Sequence, residues 1–363
     1  MATPEFVPSA QLRARVEAKS WTDTDPDGTL AWVSERARLG LTEREGKVEV
    51  KLVVQDVRVW GEELDTLKDS AANAFDLHEG VVTWKPYESL SLAVGRQEIK
   101  LEDERLVGSV GWAQQGRSFD AVRFSGTHAK LSYDVIGTVL ERRDDTGAGW
   151  PENGGAAIVR GGWASDAATI DLLAIGDRDG VADRSRATAG LNAKGAKGAL
   201  SGHVEAYAQV GTLGDASIAA HLIGVSAAVG PDTALAPKVE LLLDRLSGDG
   251  DLADGTVGNF DTLWATNHKF YGVADVFGPN DRGLHDAALK ASLGKIDAKN
   301  VVLEVHGFSY ATPRDLDAWI GEEVSVVGSL PIVKGLSAQA GGAVVLRADS
   351  ADGWGYVMFD GKL

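Results

Sequence analysis

The acidic stretch at residues 247–272, SGDGDLADGTVGNFDTLWATNHKFYG, carries residue types that could bind a cation. Asp249, Asp251 and Asp254 lie among glycines, as carboxylates do in calcium loops. Their spacing differs from that of helix–loop–helix calcium sites, and no glutamate follows at the last position of such a loop. A solvated loop is therefore favoured, while contact of these carboxylates with a cation or a substrate stays an alternative.

His268 and Lys269 follow in the same stretch and could contact a substrate. Their neighbours Phe270 and Tyr271 favour a different interpretation, a packed loop or the start of a strand. The motifs G-x-S-x-G and H-E-x-x-H and a glycine-rich phosphate loop with its lysine are all absent. The seven histidines are scattered without metal-ligand spacing. The sequence predicts no enzyme, cofactor or resident metal; a Ser/His/Asp site built from distant strands is the remaining enzymatic alternative.

Arginine recurs on the polar side of segments whose residues alternate between polar and apolar. Arg13 and Arg15 fall on one face of QLRARVEAKSW, and Arg36 and Arg38 fall on one face of SERARLGLTE. Such segments are typical of strands with one polar and one apolar face. Arginine keeps its charge and forms two parallel hydrogen bonds to a carboxylate, so a pore lined by these side chains would attract anions.

Period-two alternation runs through most of the chain, and clusters such as NAKGAKG and SADG separate the segments. No apolar run of transmembrane-helix length occurs, but a membrane-spanning strand needs only about ten residues. Short turns and long loops, the latter near residues 61–80 and 247–268, are typical of outer-membrane barrels. The pattern predicts an all-β fold, a single large antiparallel transmembrane β-barrel over residues 1–363, in which either long loop could plug the lumen. Periodicity alone also fits a soluble β-sandwich.

Composition narrows the function further. A net charge of −17 argues against nucleic-acid binding. The absence of cysteine excludes disulfides and thiolate metal sites and suits an oxidising periplasm. Met1 precedes ATPEFVPSAQ, which lacks the basic and apolar regions of a signal peptide. The start is therefore interpreted as an initiator methionine on a mature outer-membrane protein, with a cytoplasmic protein as the alternative.

Several stretches, taken in order, resemble the alginate export family of bacterial outer-membrane barrels. They are VQDVRVWGEE at 54–63, LAVGRQEIKLEDERLVGSVGWAQQGRSFDAVRF at 92–124, and FDTLWATNHKFYGVADVFG at 260–278. Weaker similarity covers LEVHGFSYA at 303–311 and IGEEVSVVGSLPIVKGL at 320–336. The resemblance implies a monomer of about eighteen strands in contact with outer-membrane lipid. It also implies passive export or passage of an anionic polysaccharide such as alginate, or of a related small anionic solute, through a positively lined pore.

Alternation and the resemblance together predict a set of pore-lining residues. They are Arg13, Arg15, Arg36, Arg38, Asp56, Arg58, Arg96, Asp120 and Arg123. An alternative assigns each arginine to bracing of the lumen through an ion pair with a luminal carboxylate such as Asp56 or Asp120. The arginines of the first strands are expected to cluster on one luminal wall, because cross-strand neighbours lie about 5 Å apart.

A second function class stays open, a soluble, closed or engineered β-barrel that serves as a scaffold or binding module. Aromatic residues make up only 7% of the chain, and Leu363 ends it where outer-membrane barrels usually end in phenylalanine. If Asp56 and Arg58 face the lumen, the charged residues Glu49 and Lys51 face lipid. A charge in the middle of a bilayer costs about 2–4 kcal/mol.

Overall fold

The computed structural model describes residues 4–21, 28–61, 75–140, 154–231, 233, 235–296, 299–314 and 317–363. These residues form eighteen long strands and one short strand, β14. The strands are β1 Glu5–Lys19, β2 Leu30–Glu45, β3 Val48–Val59, β4 Asp76–Tyr87, β5 Leu90–Gln97, β6 Phe119–His128, β7 Leu131–Val139, β8 Gly154–Ala164, β9 Ala168–Asp179, β10 Arg184–Lys197, β11 Leu200–Leu213, β12 Ala216–Val229, β13 Pro237–Leu246, β14 Thr256–Val257, β15 Leu284–Ile296, β16 Lys299–Ser309, β17 Trp319–Val333, β18 Leu336–Leu346 and β19 Ala351–Lys362. A single 3₁₀ turn is described, at Asn267–Lys269.

The long strands form one closed antiparallel barrel. Each pairs with its neighbours in sequence, β13 pairs directly with β15, and β1 pairs with both β2 and β19. The short strand β14 pairs in parallel with the first residues of β12. The predicted fold class, a single antiparallel barrel of about eighteen strands, is confirmed. Among the described residues, no helix is long and apolar enough to cross a membrane.

The alternation in sequence becomes an inner and an outer face. In β1, Arg13, Arg15 and Glu17 point inward and are buried, whereas Leu12 and Val16 point outward and are exposed. Exposed apolar side chains continue around the outer face, among them Leu39, Leu172, Leu241, Val326 and Phe359. Burying a side chain of this size in an apolar environment is worth about 1.5–3 kcal/mol. The outer face therefore matches the hydrocarbon core of a bilayer and disfavours a soluble scaffold.

The two ends of the barrel differ. Two-residue turns at 46–47, 88–89, 129–130 and 334–335 close one end, and the described chain begins and finishes there. Gly46 adopts a φ of 58°, the left-handed conformation that two-residue hairpin turns require. The two longest described connections, residues 98–118 and 247–283, lie at the other end. Short turns at one end and long loops at the other are the asymmetry of outer-membrane barrels.

Two long connections fold into the lumen. We call residues 98–118, between β5 and β6, the first inner segment, and residues 247–283, between β13 and β15, the second inner segment. They pair with each other: Trp264 N–H donates to Leu106 O at 2.9 Å, and Gly108 N–H donates to Trp264 O at 2.8 Å. The predicted loop at 247–268 belongs to the second inner segment. Of the predicted loop at 61–80, residues 76–80 are part of β4, and residues 62–74 lie outside the described residues.

The inner segments build an apolar core inside the barrel. Buried side chains of both segments pack against inward-facing side chains of many strands, namely β6 to β9, β11 to β13, β15, β16 and β18. The core residues from the inner segments include Ile99, Leu101, Leu106, Phe260 and Tyr271. Those from the barrel strands include Ile136, Ile158, Ile175, Tyr207 and Leu222. The inner segments therefore fill much of the lumen, and the polar side chains of β1 and β2 face the first inner segment.

Candidate functional site

Four arginines form a cluster on the inner face of β1 and β2, which we call the arginine wall: Arg13, Arg15, Arg36 and Arg38. Arg13 lies directly across from Arg36 in the register of the two strands. Their positions alternate with outward-facing residues, so the backbone pleat brings all four to the same side. The expected clustering of the first arginines is thus present as geometry, while their role in the pore remains a prediction.

The arginine wall holds one stretch of the first inner segment by its backbone. We call residues 111–115 the strap. The guanidinium groups donate to strap carbonyl oxygens, and donors and acceptors follow the same order in the sequence. Arg13 donates to Gly111 O at 2.8 Å and Arg15 to Trp112 O at 2.8 Å. Arg36 donates to Gln114 O at 3.1 Å and Arg38 to Gln115 O at 3.2 Å. Because these acceptors are neutral, the bonds position the strap and leave the positive charge of the wall uncompensated by the strap.

Carboxylates neutralise three of the four arginines. Arg13 pairs with Asp360 at 3.3 Å, Arg15 with Glu17 at 2.7 Å, and Arg38 with Glu98 at 3.3 Å. Within the described part of the chain, Arg36 makes no ion pair. Besides the strap carbonyls, it donates to the side-chain oxygen Gln11 Oε1 at 3.2 Å. Arg36 is only 2% exposed, and its Nε has no hydrogen-bond partner. The wall therefore has a buried cation at its centre that an anion would stabilise.

Arg123 also faces the lumen, but it is paired. Its Nη2 lies 2.7 Å from Asp134 Oδ1, and Arg160 reaches the other oxygen of Asp134 at 3.2 Å. This arrangement corresponds to the bracing alternative, in which an arginine stabilises neighbouring strands. Arg123 thus differs from Arg36, which forms no ion pair with a carboxylate among the described residues.

The predicted luminal placement of Asp56 and Arg58 is wrong. In the register of β2 and β3, the inward-facing Arg38 lies opposite Gln55, so Asp56 and Arg58 fall on the outer face. There they pair with each other at 2.5 Å near the end of β3 that leads to a long loop. A shift of one residue moves a side chain to the other face of a strand. The same register turns Glu49 and Lys51 inward, which removes the mid-bilayer charge that the sequence had implied.

The predicted luminal placement of Arg96 and Asp120 is wrong for the same reason. They lie opposite each other on β5 and β6, two residues from the outward-facing pair Val94 and Val122. Their side chains form an exposed ion pair at 3.1 Å. Both positions adjoin the long-loop end of the barrel, where a paired charge on the outer face lies close to water.

The three aspartates of the second inner segment accept hydrogen bonds from the backbone of their own loop. Asp249 accepts the N–H of Asp251 at 3.0 Å, and Asp251 accepts that of Ala253 at 2.9 Å. Asp254 accepts the N–H of Thr256 at 2.7 Å. These turns fix the loop conformation. In the described residues, no cluster of three or more His, Asp or Glu side chains could hold a metal ion.

His268 and Lys269 join the two inner segments. The His268 ring stacks on Trp112 with centroids 4.2 Å apart, and its Nδ1 lies 2.8 Å from Asp275 Oδ2. Lys269 Nζ lies 2.5 Å from Glu104 Oε1. Both residues thus contact the first inner segment or their own loop, and His268 in addition borders a cavity at the long-loop end.

A buried arginine that the sequence did not nominate anchors the inner segments. Arg105 is 1% exposed; its Nε donates to Glu205 at 2.6 Å and its Nη2 donates to Asp244 at 2.8 Å. Its Nη1 donates to Tyr271 Oη at 3.0 Å, and its guanidinium lies 3.7 Å from the ring centroid of Phe270. One side chain of the first segment thus contacts two barrel strands and the second segment. The signal available in sequence was only its place in the family-like stretch at 92–124.

The first inner segment should hold its place in the lumen more weakly as pH rises. Burial raises the pKa of Glu102 from 4.5 to about 7; the Tyr207 hydroxyl and Arg160 oppose this rise, and Asp171 and Glu205 add to it. The released segment gives up this proton at lower pH than the docked segment does. The free energy that stabilises the docked segment is therefore largest below about pH 4.5. It falls by up to about 3 kcal/mol as pH rises to about 7 and stays constant above that pH.

Hydrogen exchange measures this effect. Amides near residue 102 should exchange faster at about pH 8 than at about pH 5, after correction for the intrinsic rate. Glu102→Gln should abolish the difference, because the amide keeps a hydrogen-bonding group without a titratable proton. A pH dependence that persists in Glu102→Gln would assign the effect to another group.

Comparisons with known proteins agree with this architecture. The model of the alginate export family matches residues 9–325. Among solved structures, Acinetobacter baumannii OccAB4 is similar with a TM-score of 0.71 at 11% identity, covering 99% of this chain and 98% of that one. Pseudomonas aeruginosa OpdO has a TM-score of 0.69 at 12% identity, with 99% and 97% covered. The outer membrane protein OpdK of the same organism has a TM-score of 0.67 at 11% identity, with 99% and 98% covered.

No curated protein matches the chain. The similarity to these solved structures extends over nearly the whole barrel, and at such low identity it concerns the fold. The family match covers most of the chain and includes most of β1, all of β2 to β16 and both inner segments. The chain therefore belongs to the alginate export family and is an outer-membrane β-barrel channel.

Proposed function

We propose that the channel passes anionic solutes along the arginine wall and that its substrate class is an anionic polysaccharide of the alginate type. The observation that carries this proposal is Arg36, a buried guanidinium without a carboxylate partner among the described residues, set between Arg13 and Arg38. A carboxylate at this position would form charge-assisted hydrogen bonds to a planar donor group. The overall charge of −17 does not oppose this, because charges beyond about 8–10 Å are screened at physiological salt.

A carboxylate can bind the arginine wall by displacing the strap from it. A carboxylate offers an arginine two parallel hydrogen bonds and the attraction of an opposite charge, whereas a neutral carbonyl oxygen offers neither. A carboxylate that reaches Arg36 therefore competes with Gln114 O and Ala113 O for the same donors. A polymer with one carboxylate per unit could exchange partners along Arg13, Arg36 and Arg38 while the strap moves aside.

We also infer that the protein acts as a monomer and as a transporter, not as an enzyme. Pairing of β1 with β19 closes the sheet, so the barrel offers no free strand edge to a second chain. The exposed apolar band provides the surface for outer-membrane lipid.

Solute flux into liposomes tests the proposed substrate class. Oligomers of uronic acid should enter faster than neutral oligosaccharides of equal length, because only the former carry carboxylates for the arginine wall. Arg36→Ser should reduce the advantage of the uronic acid oligomers about tenfold, which corresponds to the loss of about 1.4 kcal/mol. Equal entry of charged and neutral oligomers into wild-type vesicles would reject the proposal.

A further inference from the structure

A row of basic and polar side chains lies on the outer face of the barrel, where β12, β13, β15, β16 and β17 reach the long-loop end. We call it the basic patch, and its members are His221, Arg245, His285, Ser309 and Trp319. The register places Arg245 opposite His285, His285 opposite Ser309, and Ser309 opposite Trp319. His221 is exposed on the neighbouring strand β12. Side chains that lie opposite each other on paired strands are about 5 Å apart, so the patch is continuous.

Arg245 points away from the lumen and carries the charge of the patch. On β13 the inward-facing Asp244 is buried, whereas Arg245 and Leu243 on the other side of the pleat are exposed. Arg245 Nη1 donates to His285 Nε2 at 2.6 Å, which holds the guanidinium across β13 and β15. Because a guanidinium only donates, His285 accepts this bond and supplies no negative charge. The other N–H groups of Arg245 have no acceptor among the described residues.

No carboxylate pairs with a member of the basic patch in the part of the chain that the structure describes. Two other outward-facing arginines at the same end of the barrel do have such partners. Arg58 pairs with Asp56, and Arg96 pairs with Asp120. Arg245 therefore lacks the internal counter-charge that neutralises the arginines most like it.

The acidic residues of the strands that carry the patch do not neutralise it from a distance. Asp244 and Asp286 point into the lumen and are buried. Glu322 is the outward-facing carboxylate among the described residues of these strands, and it lies on β17, which β15 and β16 separate from β13. At about 4.8 Å per strand, Glu322 is about 14 Å from Arg245, beyond the screening length of about 8–10 Å at physiological salt.

Apolar side chains adjoin the basic patch on the side toward the middle of the barrel. Leu243, Leu289 and Val305 are exposed there on β13, β15 and β16. Trp319, at the level of the patch, is 53% exposed, and exposed tryptophans of membrane proteins lie at the boundary between hydrocarbon and headgroups. The long loops of outer-membrane barrels are extracellular, so this boundary belongs to the outer leaflet. The patch therefore lies at headgroup level, directly above a surface for acyl chains.

We propose that the basic patch binds the phosphate group of an outer-leaflet lipid, with Arg245 as the charged donor and the acyl chains along Leu243 and Leu289. A guanidinium matches a phosphate through two parallel hydrogen bonds. The contact adjoins hydrocarbon, where a dielectric constant below that of water strengthens the attraction. The occupant is a lipid and not a soluble anion, because the closed sheet separates the patch from the lumen and turns it toward the bilayer. The inference stands whether or not the arginine wall selects anions.

Native mass spectrometry of the purified full-length protein in a neutral detergent tests the site with lipid A, the same lipid after removal of its phosphate groups, and inorganic phosphate. Lipid A should bind about tenfold more tightly or better than its phosphate-free form, and excess inorganic phosphate should not displace it. Arg245→Gln should weaken binding of lipid A about tenfold or more, because it removes the charge and keeps a polar side chain. Arg58→Gln removes an outward-facing arginine that already pairs with Asp56 and should leave the affinity unchanged.

A second variant supplies the missing carboxylate and keeps Arg245. Ile223 lies opposite Arg245 and is 47% exposed, so Ile223→Glu places an acid beside the guanidinium without filling buried space. The new ion pair should occupy Arg245, as Asp120 occupies Arg96, and weaken binding of lipid A about tenfold. Equal binding of the phosphate-free lipid, displacement of lipid A by inorganic phosphate, an equal loss in Arg58→Gln, or unchanged affinity in both Arg245→Gln and Ile223→Glu would overturn the proposal.

Discussion

Arg105→Met is expected to weaken the docking of both inner segments by about 3–5 kcal/mol, the cost of removing one partner of a buried ion pair. Methionine is a long apolar side chain, but it leaves Glu205 and Asp244 facing each other in the protein interior without a cation. It also removes the hydrogen bond to Tyr271. Arg105 links the first inner segment to the second inner segment and to strands β11 and β13. Its loss should therefore weaken the docking of both segments together.

Hydrogen exchange in the reconstituted barrel measures this loss. Amides of residues 100–110 and 260–272 should exchange about a hundredfold faster or more, while amides of the barrel strands far from the segments should change little. Arg347→Met, which breaks an ion pair that is partly exposed to solvent, should cost less than about 1 kcal/mol. Adding Glu205→Gln and Asp244→Asn to Arg105→Met should restore part of the protection. Unchanged exchange in Arg105→Met would show that apolar packing alone holds the segments.

The double variant Arg36→Ser, Arg38→Ser is expected to lose most of the anion preference of the channel. A unit charge about 4 Å from a passing ion contributes about 1–4 kcal/mol, depending on the local dielectric constant. Removing both charges should therefore lower the ratio of anion to cation permeability about tenfold or more at low salt. The same change removes bonds to the strap carbonyls of Gln114 and Gln115, so single-channel conductance should rise as well.

The structure supplies a matched control for this variant. Arg58→Ser with Arg96→Ser removes the same two charges, but from the outer face, where each arginine pairs with an aspartate. This control should leave permeability ratio and conductance near the wild-type values. A similar loss of anion preference in both double variants would mean that net charge, and not the arginine wall, sets the selectivity.

Much of the barrel could be predicted from period two alone. In β1, every second residue from Arg13 to Glu17 is charged and the residues between are apolar, so the inner face follows from the sequence. In β3, valines occur on both faces: Val53 points inward, and Val50 points outward. The sequence of β3 alone therefore does not show which face carries Asp56 and Arg58. The register of β3 against β2, in which Arg36 and Arg38 face inward, assigns them to the outer face.

The inner segments could not be derived in this way, because their order comes from contacts between distant residues. Arg105 and Glu205 are 100 positions apart, and Lys269 and Glu104 are 165 apart. Neither segment has a repeating pattern that would show which side chain is buried. At Asp249, Asp251 and Asp254, where spacing argued against a helix–loop–helix calcium site, the carboxylates accept backbone hydrogen bonds.

The reversal potential of the wild-type protein in a planar bilayer under a KCl gradient tests the central claim most directly. If solutes pass along an arginine wall with an uncompensated Arg36, chloride should carry more of the current than potassium, and the preference should shrink as salt screens the wall. The sign of the potential should then be that of an anion-selective pore. A wild-type channel with the sign of a cation-selective pore would contradict the account and, with it, the proposed anionic substrate.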